Sequence, residues 1–275
     1  MIQRLTNILR LIRWKNILIF LFFQTIIYLK YNDDAIQNSY IWFNLILVLF
    51  AAAGNIQNDL KDILVDKFNR KTSKIDFVQT HQAVLSIFVA LLNLLGIAIS
   101  FIIFFQSNRQ LFLLLIIIPF VLTAYNVYFK RIALIGNILV SGAIAYVLYL
   151  TMVYFFVPIP IFNYYVLMAF LLNLLREIVK DIEDRAGDKQ ANYHTLPIIS
   201  MFLTHLVIKT TTVYLWVISI QYFDLFLSLI QKIIVVIILL STIYVIKLIN
   251  AEKYKSASTM LKILMFLGIL SIVLI

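Results

Sequence analysis

The sequence predicts an all-α integral membrane protein in which nine transmembrane helices form one polytopic domain. Of its 275 residues, 63% are hydrophobic and only 13% are charged, and the mean hydropathy is +0.98. A soluble domain of this length needs more polar surface than such a composition provides. We therefore expect residues 1–275 to form a single membrane domain without a linker or a soluble module.

Nine apolar runs support the helix count, because each is about long enough to cross a hydrocarbon core at a rise of about 1.5 Å per residue. The second run is short by itself. We expect the second and sixth helices to gain a final turn from the polar motifs that follow them. The predicted spans are 17–29, 41–56, 83–105, 111–127, 133–157, 162–179, 196–222, 226–249 and 259–275.

The N-terminal segment from Met1 to Lys15 is basic and does not end in a small-residue cleavage site. We interpret it as a retained flank of the first helix and not as a signal peptide. The chain contains no cysteine, so the sequence offers neither disulfide nor thiolate chemistry.

The distribution of positive charge predicts a topology. A net charge of +10 is compatible with nucleic-acid binding, but most basic residues fall on one side of the predicted membrane domain. The basic residues on that side are Arg4, Arg10, Arg13, Lys15, Lys61, Lys67, Arg70, Lys71, Lys74, Lys130, Arg131, Arg176, Lys180, Arg185, Lys189, Lys247, Lys253 and Lys255. The other side receives Lys30, Arg109 and Lys232. The positive-inside rule therefore places the N-terminus in the cytoplasm and the C-terminus outside, and no nucleic-acid partner is expected.

Two acidic motifs follow predicted helices on the cytoplasmic side, NDLKDILVDKFNR at 58–70 and REIVKDIEDRAGDK at 176–189. On a helix, three oxygen-bearing side chains of the first motif point within about 80° of one another, and three of the second within about 60°. These side chains are Asn58, Asp62 and Asp66 in the first motif, and Asp181, Asp184 and Asp188 in the second. Clustered carboxylates beside a low-dielectric layer repel one another unless a cation lies among them, and Mg²⁺ favours oxygen ligands of this kind.

Either motif alone is also typical of a solvated loop with mixed charge. The matched helical spacing of the two motifs, and their common position at the ends of helices, favour a metal site instead. Basic residues nearby suit a diphosphate, the kind of ligand that such metal ions bridge. These basic residues are Arg13, Lys130, Arg131 and Lys180.

Both motifs resemble the aspartate-rich motifs of the UbiA-type intramembrane prenyltransferases, the first over residues 58–70 and the second over 181–188. Within that superfamily the second motif, followed by TLPI at 195–198, is most similar to the digeranylgeranylglyceryl phosphate synthase branch. The segment YNVYFKR at 125–131, followed by GN at 136–137, is similar to the same branch. The resemblance implies an intramembrane enzyme of the prenyltransferase class.

The chain departs from the family pattern at two places within the resemblance, which extends over residues 13–198. Family members often continue the first motif as Arg-Pro-x-Arg-Pro, where this chain has RKTSK at 70–74. Near the N-terminus, RWKN at 13–16 resembles Arg-Pro-x-Asn with Trp14 in place of proline. Both changes keep positive charge and alter the stiffness of a loop, so they bear on the acceptor more than on the chemistry.

The resemblance implies a central cavity in which Mg²⁺ holds an isoprenyl diphosphate donor, geranylgeranyl diphosphate in the branch named. The implied metal ligands are Asn58, Asp62, Asp66, Asp184 and Asp188, with Asp59 and Asp181 as second choices. The implied catalytic residues are Tyr125, Lys130 and Lys180, and the implied substrate-binding residues are Arg13, Asn16, Arg70, Arg131, Asn137 and Arg176. Tyr128 and Phe129 are further candidates for the cavity lining, where aromatic rings stabilise an allylic cation and exclude water.

Three functions remain open from the sequence. The first is transfer of a geranylgeranyl-like group to a phosphorylated glycerol lipid, which gives an ether. The second is prenylation of an aromatic acceptor in quinone biosynthesis. The third is a transporter or a diphosphate-lipid-binding protein, because intramembrane carboxylates also mark ion pathways. The acidic residues lie at helix ends on one side only, which argues against transport, and the expected surroundings are the lipids of a bacterial or archaeal cell membrane.

Other polar and small residues have structural interpretations. His81, His194 and His205 lack metal-ligand spacing and are interpreted as loop or interface residues. Asn137 and Asn173 lie within predicted helices, where an amide can bond a neighbouring helix. We expect Gly54 and Gly142 to permit close contact between helices.

Overall fold

The computed structural model describes residues 2–31, 34–68, 72–155, 160–226, 228–272 and 274, and the described chain is almost entirely helical. Short 3₁₀ turns lie at Phe129–Arg131 and Phe223–Leu225. The α-helices are α1 Ile2–Leu11, α2 Trp14–Tyr31, α3 Asp34–Lys61, α4 Ile63–Phe68, α5 Thr72–Thr80, α6 Gln82–Phe104, α7 Arg109–Val127, α8 Ile135–Tyr154, α9 Ile161–Glu183, α10 Arg185–Gln190, α11 Leu196–Ile199, α12 Met201–Gln221, α13 Leu229–Asn250 and α14 Tyr254–Ile272.

Eight of the described helices are long and apolar enough to cross a membrane, judged by length and composition. They are α3 from Ser39 onward, α6, α7, α8, α9, α12, α13 and α14. The predicted first span, 17–29, lies within α2, which does not meet the same criterion, so the count of nine is not confirmed. The all-helical membrane class is confirmed.

The predicted run 196–222 is wrong at its beginning, because the chain forms two helices there. Ser200 has extended backbone angles, φ −161° and ψ 117°, between α11 and α12. Its hydroxyl accepts a hydrogen bond from the backbone N–H of Leu203 at 3.3 Å, which caps the start of α12. A capping serine satisfies a backbone donor that has no partner inside the helix, so a new helix begins at this point.

The chain divides into two compact units, Met1–Phe129 with Val153–Val157, and Lys130–Met152 with Pro158–Ile275. In the first unit, α3 packs against α6 and α7. Phe50 of α3 is fully buried and faces Gly96 of α6, where an added Cβ would lie 2.5 Å from the Phe50 ring. Gly54 of α3 faces Leu122 of α7, with 2.8 Å between an added Cβ and Leu122 Cδ1, as close helix contact requires.

The second unit is built around α9, which packs against α12 and α14. Two tyrosines of α9 are fully buried and bonded through their hydroxyls, Tyr164 to Ser219 at 3.1 Å and Tyr165 to Ser271 at 3.1 Å. At Gly142 of α8, no described atom outside its own helix lies within 4 Å of an added Cβ. The expectation that Gly142 permits a close helix contact is therefore wrong.

Candidate functional site

Each acidic motif lies where a long helix gives way to a helix of six residues. In the first unit α3 ends at Lys61 and α4 begins at Ile63, with Asp62 between them. In the second unit α9 ends at Glu183 and α10 begins at Arg185, with Asp184 between them. An aspartate therefore occupies the junction in both motifs.

Helical hydrogen bonding continues through both junctions. In the first, the Asp62 N–H donates to Asn58 O at 3.0 Å and the Asp66 N–H to Asp62 O at 2.8 Å. In the second, the Asp184 N–H donates to Lys180 O at 2.8 Å and the Asp188 N–H to Asp184 O at 3.0 Å. Bonds between residues four apart preserve the α-helical period, so each set of oxygen ligands keeps its helical spacing across the junction.

The carboxylates of the first motif are buried. Asp59, Asp62 and Asp66 expose 4%, 8% and 9% of their surface. The side-chain amide of Asn58 donates to Asp62 Oδ2 at 2.8 Å, so two of the predicted metal ligands are in direct contact. Burying a carboxylate is costly unless a positive charge or hydrogen-bond donors compensate it, which is the condition a divalent cation satisfies.

Arg13 approaches the first motif from the turn between α1 and α2. Its guanidinium Nη2 lies 3.9 Å from Asp59 Oδ1, and its backbone has a φ of 57° in the left-handed region. The turn is fastened to α3, because the Asn55 side-chain amide donates to Ile12 O at 3.2 Å. The Asn16 N–H, in the first turn of α2, donates to Arg13 O at 2.8 Å, which links the two predicted substrate-binding residues. The predicted residue Arg70 lies outside the described residues.

The second motif is held by residues from α8 and from the TLPI segment. The Asn137 amide donates to Asp181 Oδ2 at 2.8 Å, which gives the predicted substrate-binding asparagine a partner within the motif. Asp188 exposes 5% of its surface and accepts a hydrogen bond from Thr195 Oγ1 at 3.2 Å. The Tyr193 N–H donates to Asp188 O at 2.9 Å. These contacts orient the first and last aspartates of the motif.

Glu177, which was not among the predicted site residues, contacts two of them. Arg176 Nη1 lies 2.6 Å from Glu177 Oε1, and Lys180 Nζ lies 3.0 Å from Glu177 Oε2. Glu177 exposes 8% of its surface. The sequence did indicate the contact between Glu177 and Lys180, because the two residues are spaced as a favourable helical ion pair.

The segment YNVYFKR divides between the two units after Phe129. In the first unit Tyr125 is buried, whereas Tyr128 exposes 68% of its surface. The Asn126 amide donates to Gly54 O at 3.1 Å and so links α7 to α3 one helical turn before Asn58. Asn126 belongs to the YNVYFKR motif, but nothing in the sequence indicated this contact.

In the second unit, Lys130 and Arg131 form the 3₁₀ turn that precedes α8. The Arg131 guanidinium lies 5.4 Å from the centre of the Tyr193 ring, and Arg131 O accepts the N–H of His194 at 2.9 Å. The turn is thereby joined to the segment that also contacts Asp188. His194 takes part through its backbone, as expected for a loop residue.

Within the described part of the chain, no three acidic or histidine side chains converge closely enough to hold a metal ion by themselves. Mg²⁺ is usually bound by one or two carboxylates together with waters and substrate phosphates, and not by a cage of protein ligands. The oxygen ligands of the two motifs, of which Asp62, Asp66 and Asp188 are buried, fit that mode of binding.

A family model described as the UbiA prenyltransferase family matches residues 17–270. Digeranylgeranylglyceryl phosphate synthase from Pyrococcus furiosus is 35% identical over 152 residues, which are 54% of this chain and only 52% of that protein. The synthase of the same name from Korarchaeum cryptofilum is 32% identical over 244 residues, 84% of this chain and 83% of that protein.

Two solved structures share the fold. One, described as digeranylgeranylglyceryl phosphate synthase, has a TM-score of 0.74 at 24% identity and covers 100% of this chain and 98% of that chain. The other, a UbiA homologue from Archaeoglobus fulgidus bound to DMAPP and Mg²⁺, has a TM-score of 0.69 at 16% identity and covers 98% of this chain and 100% of that chain.

Proposed function

The chain belongs to the UbiA prenyltransferase family, and on this premise we propose that it transfers a geranylgeranyl group from its diphosphate to a phosphorylated glycerol lipid. The family match confirms the predicted family and the prenyltransferase class. The observation that carries the proposal is the pair of matched helix junctions. The first has the buried ligands Asp62 and Asp66, and the second has the buried ligand Asp188 and lies beside a bridged cation pair. The relatives named digeranylgeranylglyceryl phosphate synthase support this choice of acceptor.

In this proposal, Mg²⁺ is held by Asn58, Asp62 and Asp66 in one motif and by Asp181, Asp184 and Asp188 in the other. The chemistry that a bound metal supplies is neutralisation of the charge that builds on the diphosphate as it leaves. Bound Mg²⁺ in a UbiA homologue of the same fold supports this assignment.

The remaining proposed roles belong to side chains that bind and shield the reactants. Lys130 and Arg131 add positive charge for the leaving diphosphate, and Arg13, Asn16 and Arg70 bind the donor. Tyr125, a buried aromatic residue, helps to exclude water from the allylic cation until the glycerol hydroxyl attacks through its oxygen. The Asn137 amide orients Asp181, a role that its 2.8 Å hydrogen bond supports.

Product analysis tests the proposal. We expect the purified protein, given geranylgeranyl diphosphate and Mg²⁺, to prenylate geranylgeranylglyceryl phosphate in preference to dihydroxynaphthoate. Mass spectrometry distinguishes an oxygen-linked ether from a carbon-prenylated ring, because attack through oxygen and attack through carbon give different fragments. Omission of Mg²⁺ is the control and should leave both acceptors unmodified. A carbon-prenylated aromatic as the favoured product would contradict the proposed acceptor.

We further propose that α2 crosses the membrane as the first of nine spans, with the N-terminus and both acidic motifs on the cytoplasmic side. Cysteine placed at position 71 or 185 should then be protected from an impermeant thiol reagent in intact cells, whereas cysteine at position 32 should react. Because the chain has no native cysteine, each single-cysteine variant gives an unambiguous signal. Labelling of position 185 from outside would reverse the proposed orientation.

A further inference from the structure

A buried carboxylate joins two cations on one face of α9. Arg176 and Lys180 are four residues apart, so their side chains are neighbours on the helix and repel one another. Glu177 contacts both, with 2.6 Å from its Oε1 to Arg176 Nη1 and 3.0 Å from its Oε2 to Lys180 Nζ. Each carboxylate oxygen therefore binds one cation, and the bridge holds two like charges side by side.

The bridge also pairs Lys180 with Glu177 and not with Asp184. Lys180 has two acidic residues at helical spacing, Glu177 before it and Asp184 after it. An acidic residue that precedes a lysine pairs better than one that follows it, and helical side chains lean toward the N-terminus. The observed contact is with Glu177, which draws the Lys180 ammonium toward Arg176.

The bridged cations keep hydrogen-bond donors for an anion. An ammonium has three N–H donors and a guanidinium five, and contacts with a single carboxylate use only part of them. Among the residues that the structure describes, none accepts a hydrogen bond from the buried Nε of Arg176. The Arg176 and Lys180 side chains are 25% and 34% exposed, so a ligand can reach them.

We infer that Arg176 and Lys180, held together by Glu177, form the binding site for the phosphate group of the acceptor, with Glu177 as a positioning residue. The inference rests on the proposed function and adds the residue that arranges the site. Two charges with one counter-charge leave a net positive site, which suits a phosphate. Arg176 lies about two helical turns before Asp184, whereas Lys180 directly precedes Asp181, so this site adjoins the N-terminal end of the second acidic motif.

The test compares acceptors that differ only in the phosphate. Glu177→Gln keeps the shape of the side chain but removes its negative charge and puts an NH₂ donor in place of one of the two oxygens, so the two charge-assisted contacts cannot both form. We expect the KM for geranylgeranylglyceryl phosphate to rise about tenfold, because weaker positioning of the cations should weaken about one charge-assisted hydrogen bond to the phosphate. The KM for geranylgeranyl diphosphate, and kcat/KM for the unphosphorylated geranylgeranylglycerol, should stay within about twofold of wild type. The preference for the phosphorylated acceptor should therefore fall about tenfold.

Glu183→Gln is the matched control, because it removes the same charge from the exposed end of the same helix and should leave this preference unchanged. If Glu177→Gln does not fold, Lys180→Gln removes the other end of the bridge at a more exposed position and should lower the preference in the same way. An equal loss with both acceptors would indicate a purely structural role and overturn the inference. So would an unchanged or lower KM for the phosphorylated acceptor.

A binding measurement separates this inference from the proposed function. Geranylgeranylglyceryl phosphate is titrated into the detergent-solubilised wild-type and Glu177→Gln proteins without donor. Weaker binding to the variant supports the phosphate site even if the wild-type protein forms no ether, an outcome that would contradict only the proposed function. Equal binding to the two proteins, or no binding to either, would overturn the inference.

Discussion

Asp184→Asn is expected to lower turnover by at least about a hundredfold while the protein remains folded. Asparagine keeps the size of the side chain but removes the negative charge and one of the two anionic oxygens at the α9 junction. Loss of one group that stabilises charge in a transition state typically costs about 10² to 10³ in kcat. The measurement is turnover at saturating donor and acceptor in excess Mg²⁺. Asp62→Asn, at the corresponding junction in the other unit, should have a similar effect.

The stability of the metal-free variant provides an independent readout of the same change. Removing one carboxylate from a group of like charges relieves repulsion, so the thermal unfolding temperature without Mg²⁺ should hold or rise. Asp224→Asn is the control, since Asp224 is exposed in the 3₁₀ turn at Phe223–Leu225 and should tolerate the change in both assays. Wild-type turnover in the variant, or in the wild-type protein with excess chelator, would contradict the metal role.

The helical period of the two motifs could be predicted from the sequence, but the helix junctions could not. Spacing alone places Asn58, Asp62 and Asp66 on one stripe, and the hydrogen bonds through Asp62 preserve that spacing. Each interruption is a single residue, and it leaves the identities and the intervals of the motif residues unchanged. The sequence pattern is therefore the same with or without the junction.

The spacing of residues within a motif could not predict contacts between distant segments of the chain. Asn137 and Asp181 are 44 residues apart, and nothing in either motif specifies that the amide of one binds the carboxylate of the other. Glu177 was overlooked for a different reason: an acidic residue between two basic ones is common on a helix surface. Burial gives this glutamate its importance, and burial depends on how α9 packs against its neighbours.

Hydropathy predicted the membrane helices better than it predicted their ends. Hydropathy does not reveal the break at Ser200 within the apolar run 196–222, because one serine hardly changes the mean hydropathy of a long window. Pro197 near the start of α11 and the N-cap serine that follows are the local signals of two helix starts. These capping residues therefore mark the beginning of α12 more sharply than hydropathy does.

Gly96→Ala and Gly142→Ala make the same chemical change and are expected to affect stability in opposite directions. A Cβ at Gly96 would lie 2.5 Å from Phe50 Cε1 and 3.0 Å from both Cδ1 and Cζ. Phe50 is fully buried, so its ring cannot move aside without displacing α3 from α6. Overpacking of this kind costs about 1–3 kcal/mol, enough to outweigh the gain in helix propensity of up to about 1 kcal/mol.

At Gly142 only the gain in helix propensity remains, because no described atom outside its own helix lies within 4 Å of the added Cβ. The free energy of unfolding should therefore fall for Gly96→Ala and stay level or rise by up to about 1 kcal/mol for Gly142→Ala. Thermal unfolding of the two variants in the same detergent measures the difference directly. Equal stability of the two variants would contradict the close packing of Gly96 against Phe50. The comparison therefore tests whether the contact between Phe50 and Gly96 holds α3 against α6 in the first unit. The position of α3 matters because this helix ends at the first acidic motif.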